Sequence, residues 1–296
     1  IIYCIIKKVI NMINTLKIDE IYEAEVIGLE NEGKGVCKVG GIIVFVPKTL
    51  KGEKIKFRVT EIKKNFAKGK LVQVLKESDK RVKPSCPYYE ECGGCNLRHQ
   101  EMKENLKFKK EKIENALKRI GKIDKKVEDV IPSFKNDNYR NKISLKVEDD
   151  KIGFYGEGTY QLIDIDNCLL AVSEINDAIK VIRTYIKGFK NKIKTVTIKY
   201  GNAMDDILID IYSLSQDDVG IINYLTSNIS NLKTVIFNDK VLFGTGYIKE
   251  ISNGLMFNCS SKSFFQVNGM QAEKMYEEAI KLAKLKKDDV VLDLYC

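Results

Sequence analysis

The segment Cys86-Pro87-Tyr88-Tyr89-Glu90-Glu91-Cys92-Gly93-Gly94-Cys95 places three thiols within ten positions, at x5 and x2 spacing. The other five cysteines are scattered, at Cys4, Cys37, Cys168, Cys259 and Cys296. Eight in 296 residues are too few for a disulfide scaffold, and clustering of this kind reads as metal ligation in a reducing compartment. Gly93 and Gly94 let the backbone fold round a cluster and aim amides at sulfur. Zinc and iron–sulfur clusters both accept thiolates, so ligand type alone leaves the metal open. A closed site needs a fourth ligand. Cys168, in Ile165-Asp166-Asn167-Cys168-Leu169, has a strand-to-loop setting and is the preferred candidate. His99, the only histidine, lies four residues after Cys95 and would complete a zinc site instead.

Two further strings sit near the end of the chain. Ser263-Phe264-Phe265-Gln266-Val267-Asn268 precedes a helix running to about residue 285, which Asn268 can cap with Gln271 at the third helical position. Its apolar face is Met275, Ala279, Ile280, Leu282 and Ala283. The run Val290-Val291-Leu292-Asp293-Leu294-Tyr295-Cys296 is apolar and carries an acid near its end. That pattern predicts a buried parallel strand whose carboxyl end faces a ligand crevice.

The elements that must position these residues fall into three stretches. Residues 20–75 alternate with period two and are punctuated by Gly33, Gly35, Gly40 and Gly41, which predicts a small barrel of about five strands. Lys63, Lys64, Lys68 and Lys70 cluster on its rim round Phe66, as on nucleic-acid platforms, although a solvated lysine face has the same composition. Residues 100–119 predict a helix with Met102, Leu106, Ile113, Leu117 and Ile120 on one face. From residue 141 to about 255, strands are predicted at 143–147, 152–155, 195–200, 207–211 and 234–237, and helices at 173–187 and 216–227. Ser173 with Asn176 is expected to open the first of those helices. The fold class is therefore α+β and multidomain.

Composition narrows the classes. Apolar residues are 44% and charged residues 31%, which excludes a disordered or membrane-spanning chain. Lys plus Arg number 50 against 41 Asp plus Glu, a net charge of +9 that points to a polyanionic partner. Residues 1–10 are too short to span a bilayer, and Lys7 and Lys8 interrupt them in the wrong order for a signal peptide. A cytoplasmic protein is expected, with Met12 a plausible true start. The first residue is Ile1, and the chain stops on an apolar run. The expectation is of a chain cut short.

In this order, the motifs resemble a known family. Gly33-Lys34-Gly35-Val36 and Val44-Phe45-Val46-Pro47 look like a TRAM domain. The cysteine triplet, the lone cysteine about seventy residues later, and the two terminal strings follow. Together they resemble the S-adenosylmethionine (SAM)-dependent RNA uracil-C5 methyltransferases, in the 23S ribosomal RNA branch that carries a TRAM domain and a 4Fe-4S cluster. The spacing is not the x3, x2 triplet of radical SAM enzymes, so that chemistry is discounted. The resemblance runs from about Lys17 to the last residue. It implies a TRAM/OB-like β-barrel at 17–77 after an N-terminal extension at 1–16. A central iron–sulfur and α+β domain at 78–262 would follow, its helix at 100–120 packing on the catalytic domain. The beginning of a Rossmann-like methyltransferase domain would occupy 263–296.

The resemblance also implies roles. Cys86, Cys92, Cys95 and Cys168 match the cluster ligands, which favours Cys168 over His99 and iron over zinc. Gln266 matches a glutamine lining the methyl-donor and target-base pocket, and Tyr295 an aromatic that contacts SAM. Phe264 falls where an aromatic stands beside the flipped uracil. Tyr139-Arg140-Asn141-Lys142 resembles a string near the RNA path, and Asp293 supports the strand end. In such enzymes a cysteine thiolate adds to uracil C6, C5 then attacks the methyl sulfonium, and a base removes the C5 proton before the thiol leaves. The base must first leave its stack. A basic barrel and central domain would hold the RNA mainly through phosphates. The nucleophile and base are expected beyond residue 296. Cys296 belongs to the cofactor strand, and Cys259 has no acid partner nearby in the sequence, so neither is assigned as nucleophile. The expectation is that residues 1–296 bind RNA and a cluster without methylating. The alternative from another class is a non-catalytic RNA-binding module with a structural Cys-rich metal site.

Overall fold

The computed structural model describes residues 16–294. Residues 1–15 of the expected extension, Met12 among them, and Tyr295 and Cys296 lie outside them, while Leu16 is buried in the barrel core. The chain divides into two compact units, one ending at Pro132 and the other beginning at Ser133.

In the first unit, β1 (Ile21–Glu25), β2 (Gly28–Leu29), β3 (Gly35–Val39), β4 (Ile42–Val46), β5 (Lys54–Ile62) and β6 (Phe66–Lys76) form one sheet. Their order is β1-β5-β6-β4-β3-β2. The edge strands β1 and β2 are consecutive in the chain. Between them Val26 N–H donates to Glu53 O (2.9 Å), on the β5 side, and Ile27 N–H to Val36 O (2.8 Å) on β3. One stretch of backbone thus joins both edges, and the sheet closes on itself. There are six strands where the spacing suggested about five, because β2 is only two residues long. Val26, Cys37, Val44, Val46, Ile55, Phe57, Val59 and Ala67 fill the interior. Gly35 leaves the space Thr49 needs: a Cβ there would stand 1.9 Å from Thr49 Oγ1.

Helix α1 (Met102–Arg119) follows the cysteine segment as predicted, but none of its residues is buried. The segment between barrel and cysteines is tied back by a buried charge. Glu53, with no exposed surface, accepts from Arg81 Nε (2.6 Å), Arg81 Nη2 (2.8 Å) and Leu50 N–H (2.8 Å). Burial pushes the Glu53 carboxyl up, but Arg81 and the backbone donors outweigh it and hold it below its ordinary range.

The second unit is built on a seven-stranded sheet in the order β13-β12-β11-β10-β7-β8-β9. Its strands are β7 (Lys142–Glu148), β8 (Lys151–Tyr155), β9 (Leu162–Asp164), β10 (Ile193–Gly201), β11 (Asp206–Ser213), β12 (Leu232–Phe237) and β13 (Lys240–Gly244). Only β11 and β12 run parallel. The five predicted strands all form, a residue or two longer at their ends. Helix α2 (Ser173–Gly188) buries Ile175, Ala178, Ile179, Ile182 and Ile186, the 3.6-residue stripe of an amphipathic helix. Its predicted opening is corrected: Val172 occupies the N-cap position without a side-chain bond, and Asn176 is used elsewhere. The next predicted helix begins as a 3₁₀ turn, Gln216–Val219, before α3 (Gly220–Asn228).

A hairpin of β14 (Tyr247–Ser252) and β15 (Leu255–Ser260) packs Ile248 and Cys259 against Leu208 and Ile236 of the sheet. Its turn is Asn253-Gly254, with φ of 48° and 77°, the left-handed pair that matches strand twist. Helix α4 (Gly269–Ala283) follows, and Asn268 Oδ1 caps it by accepting from Gln271 N–H (3.2 Å). The strand expected at Val290–Leu294 does not form. Val290 is 98% and Leu292 79% exposed. An apolar run becomes a strand only where neighbours meet its N–H and C=O groups. Residues 290–294 join no strand ladder.

Arg81→Met should lower stability by about 3 kcal/mol or more, because Glu53 is left buried and unpaired, and Arg81→Met with Glu53→Leu should recover part of that loss. Urea unfolding decides it. A single variant as stable as the parent would show that the pair does not hold the linker.

Candidate functional site

The two predicted site strings meet in the second unit. Asn141, just before β7, joins three partners: its backbone N–H donates to Val267 O (3.0 Å), and its side-chain Nδ2 donates to Glu250 Oε1 (3.0 Å) and Gln266 O (3.4 Å). Its own carbonyl accepts from Tyr200 N–H on β10 (2.9 Å). Lys199, also on β10, points Nζ into the turn before the second string and donates to Ser260 O (2.6 Å) and Ser263 O (2.8 Å). The Ser260 and Ser263 hydroxyls close that turn at 2.9 Å. Residues 260–268 are therefore gripped at both ends. Phe264 stands between the grips and is 84% exposed. The Gln266 backbone is fixed, while its side-chain amide makes no hydrogen bond among the described residues. Phe265 packs beneath, against the cluster that holds Cys259.

Lys199 and Glu250 are the charged groups of this grip, and both are buried. Burial, with the like charge of Lys142, brings the Lys199 ammonium down to about 8. Burial raises the Glu250 carboxyl to about 7, against the pull of Lys199 and Asn141. Neither role was readable from sequence, where each residue sits in an alternating strand like many others. One expectation is corrected here. An acid does lie within electrostatic reach of Cys259, namely Glu250, which with burial raises the Cys259 thiol. A raised thiol is protonated and unreactive, so Cys259 still does not read as a nucleophile.

Tyr139-Arg140-Asn141 also holds the loop that bears Cys168. Asn138 N–H donates to Leu169 O (2.8 Å), Arg140 N–H to Leu170 O (2.7 Å), and Val172 N–H to Arg140 O (3.1 Å). Asn176 clasps the loop from α2: its Oδ1 accepts from Cys168 N–H (2.9 Å), and its Nδ2 donates to Cys168 O (3.1 Å) and Ala171 O (3.2 Å). On the other side Arg183 is bonded to Asp164 and donates to Ile165 O (3.0 Å). Cys168 is half-buried on a loop held from three directions.

Cys86, Cys92 and Cys95 belong to the first unit and are also half-buried. Their segment is anchored by Lys48 Nζ, which donates to Tyr89 O (2.8 Å), and by Asn96 Nδ2, which donates to Glu32 O (3.0 Å). The Tyr89 hydroxyl donates to Asn96 O (3.0 Å) and meets His99 Nδ1 at 2.5 Å. His99 is buried, and burial depresses its ring to about 4, so it is neutral and committed to packing. Gly94 N–H points at Cys92 Sγ (3.3 Å), the amide-to-sulfur contact expected of the Gly-Gly pair. By donor chemistry these thiols fit an iron–sulfur cluster. Among the described residues, no group of three or more His, Cys, Asp or Glu already converges on a metal position.

No helix among the described residues is long and apolar enough to cross a membrane. The TRAM domain family matches residues 17–72. An uncharacterised RNA methyltransferase of Clostridium acetobutylicum is 33% identical, over 93% of this chain and 67% of its own length. One from Caldanaerobacter subterraneus subsp. tengcongensis is 34% identical, over 95% and 69%. Among solved structures, the tRNA (uracil-54, C5)-methyltransferase of Pyrococcus abyssi, in complex with S-adenosyl-L-homocysteine, shares the fold. Its TM-score is 0.68 at 24% identity, over 88% of this chain and 65% of that one.

The Glu250 carboxyl predicts a pH dependence. Its folded value of about 7 lies above the ordinary 4.5, so between them the native state holds a proton that the unfolded chain releases. Stability should fall as pH rises through that window, by ~3 kcal/mol at most, and Glu250→Gln should remove that part of the slope. Urea midpoints at pH 5 and pH 7 check it. Equal slopes in parent and variant would refute it.

Proposed function

The chain belongs to the RNA methyltransferase family, and from that premise we propose that it serves SAM-dependent methylation of uracil C5 in RNA, with 23S ribosomal RNA as the substrate. The observation that carries the reading is the gripped segment 260–268. It presents an exposed aromatic ring at Phe264 and an unengaged amide at Gln266, on backbone fixed by Asn141 and Lys199. An extruded pyrimidine needs a flat apolar face and a polar edge held in register. Phe264 supplies the face and Gln266 the edge. The grip means that the backbone carrying them need not be ordered when the base arrives, which lowers the cost of binding.

SAM, when bound, supplies an electrophilic methyl group. Gln266 would line its site together with Tyr295. The basic barrel and the lysines round Phe66 would hold RNA through phosphates. Residues 17–77 would form the barrel domain, 78–262 the cysteine-bearing central domain and 263–296 the start of the methyltransferase domain. Cys86, Cys92, Cys95 and Cys168 would be the four thiolates of a 4Fe-4S cluster, which when bound supplies metal–thiolate bonds that fix their loops. A cytoplasmic location accords with cysteines kept reduced and an RNA substrate.

Deletion of the gene should remove 5-methyluridine from nucleoside digests of 23S ribosomal RNA, and a plasmid copy should restore it. Loss of 5-methyluridine from tRNA alone would overturn the substrate. Loss of a different methylated nucleoside would overturn the uracil-C5 chemistry. No change in any nucleoside would favour the non-catalytic RNA-binding module. Protein purified without oxygen should carry about four irons per chain with broad visible absorbance, largely lost in Cys92→Ser. One zinc per chain and no iron would overturn the cluster.

A further inference from the structure

Lys199 lies on β10 with only 4% of its surface exposed, an unusual place for a residue type that is almost never fully buried unless paired. Its Nζ donates to two backbone oxygens, Ser260 O (2.6 Å) and Ser263 O (2.8 Å). Strand β15 ends at Ser260, so the Ser263 carbonyl lies beyond the ladder and is met by this side chain instead. Lys142 from β7, Asp210 from β11, Glu250 from β14 and Cys259 from β15 stand within electrostatic reach of the ammonium. Burial is the largest influence on it and disfavours the charge. A methionine there would fill much the same volume and bury no charge. For the fold alone, such an exchange is often neutral or stabilising.

Among the described residues, the other attachments of residues 260–268 are neutral or exposed. Asn141 holds the far end through neutral bonds to Gln266 O (3.4 Å) and Val267 O (3.0 Å). The Ser260 and Ser263 hydroxyls meet each other at 2.9 Å, also without charge. Lys262 pairs with Asp239 at 2.9 Å, but the two side chains are 75% and 74% exposed, and such pairs contribute little. Hydrogen bonds from an ionised donor are roughly twice as strong as neutral ones. The turn just before Phe264 therefore rests chiefly on the Lys199 ammonium. Ser260 and Ser263 are themselves half-buried. Without the lysine their carbonyls would turn to water, and the turn would lose its order while the sheet beneath kept its own.

We propose that Lys199 is a positioning residue of the methyl-transfer site: its buried ammonium seats the turn that presents Phe264 and Gln266, and an apolar side chain in its place would leave the chain no less stable but the turn looser. Lys199 reaches the turn carbonyls, so it acts through the turn and not on the base or the methyl donor. A reacting base that sits even slightly out of place loses much of its rate, which is the reason to keep a buried charge that the fold does not need. The inference rests on the reading that residues 260–268 receive the target base.

The chain has no tryptophan, so Phe264→Trp places a single indole on the turn. In the purified 296-residue chain with that reporter, Lys199→Met should lower the indole fluorescence anisotropy by about a third, as the turn gains freedom. Its urea midpoint should equal or exceed that of the reporter chain. Two controls separate order from stability. Arg81→Met should lower the urea midpoint and leave the anisotropy unchanged, and Lys262→Ala should change neither. A lower urea midpoint for Lys199→Met, or its failure to fold, would make Lys199 an ordinary structural residue and overturn the proposal. So would an unchanged anisotropy, or an equal fall in either control. In the deletion strain, a plasmid copy carrying Lys199→Met alone should restore less 5-methyluridine than the parent gene, and full restoration would overturn the link to methyl transfer. If deletion of the gene removes no 5-methyluridine at all, the functional reading fails instead, while the seating of the turn, read in the purified chain, stands or falls separately.

Discussion

A charge taken out of water must be met by polar partners, and the segments that supply those partners lose their freedom to move. Both units are organised by that constraint. In the first, Glu53 sits fully buried beside the barrel core and collects Arg81, Leu50 N–H and Ser78 N–H. The chain leaving β6 is thereby turned back along the barrel before it reaches the cysteines. In the second, Lys199 is buried beneath the hairpin and collects the carbonyls of Ser260 and Ser263. Glu250 lies close by and holds Asn141. Neither arrangement is the most economical way to gain stability, since apolar side chains of similar volume would also fill the space. What the charges add is position. Each fixes an irregular stretch that no sheet pairing would hold.

The short segment from Asn138 to Asn141 extends this logic. On one side it pairs with the loop that carries Cys168, and on the other with Gln266 and Val267. The Cys168 loop and the Gln266 segment therefore hang on the same four residues of backbone. Asn176 and Arg183 tighten the loop from behind.

Much of this architecture was legible beforehand. The alternating strands of the barrel and of β7, β8, β10, β11 and β12 carry their period openly, because one face of each is buried and the other is not. Asn268 was readable as a cap because capping depends only on residues three apart. The hairpin of β14 and β15 was missed, although Asn253-Gly254 is a strong turn signal; Leu255, Met256 and Phe257 are exposed, so the apolar pattern there does not report a core. Asn176 was read as part of a helix start, but the loop beside it offered better partners. Val290–Leu294 has the composition of a buried strand and none of its pairing. Composition states what a segment could bury and does not supply the neighbour.

The sequence by itself determined the inventory: the thiols at their spacing, the string around Gln266, the basic excess and the period of each strand. These are local properties, set by residue type and separation along the chain. The tertiary structure alone decided which residues serve them. Lys199, Glu250 and Asn141 lie up to 109 positions apart and have no motif in common. A hydrogen bond between distant strands depends on how the chain returns on itself, and no local pattern encodes that return.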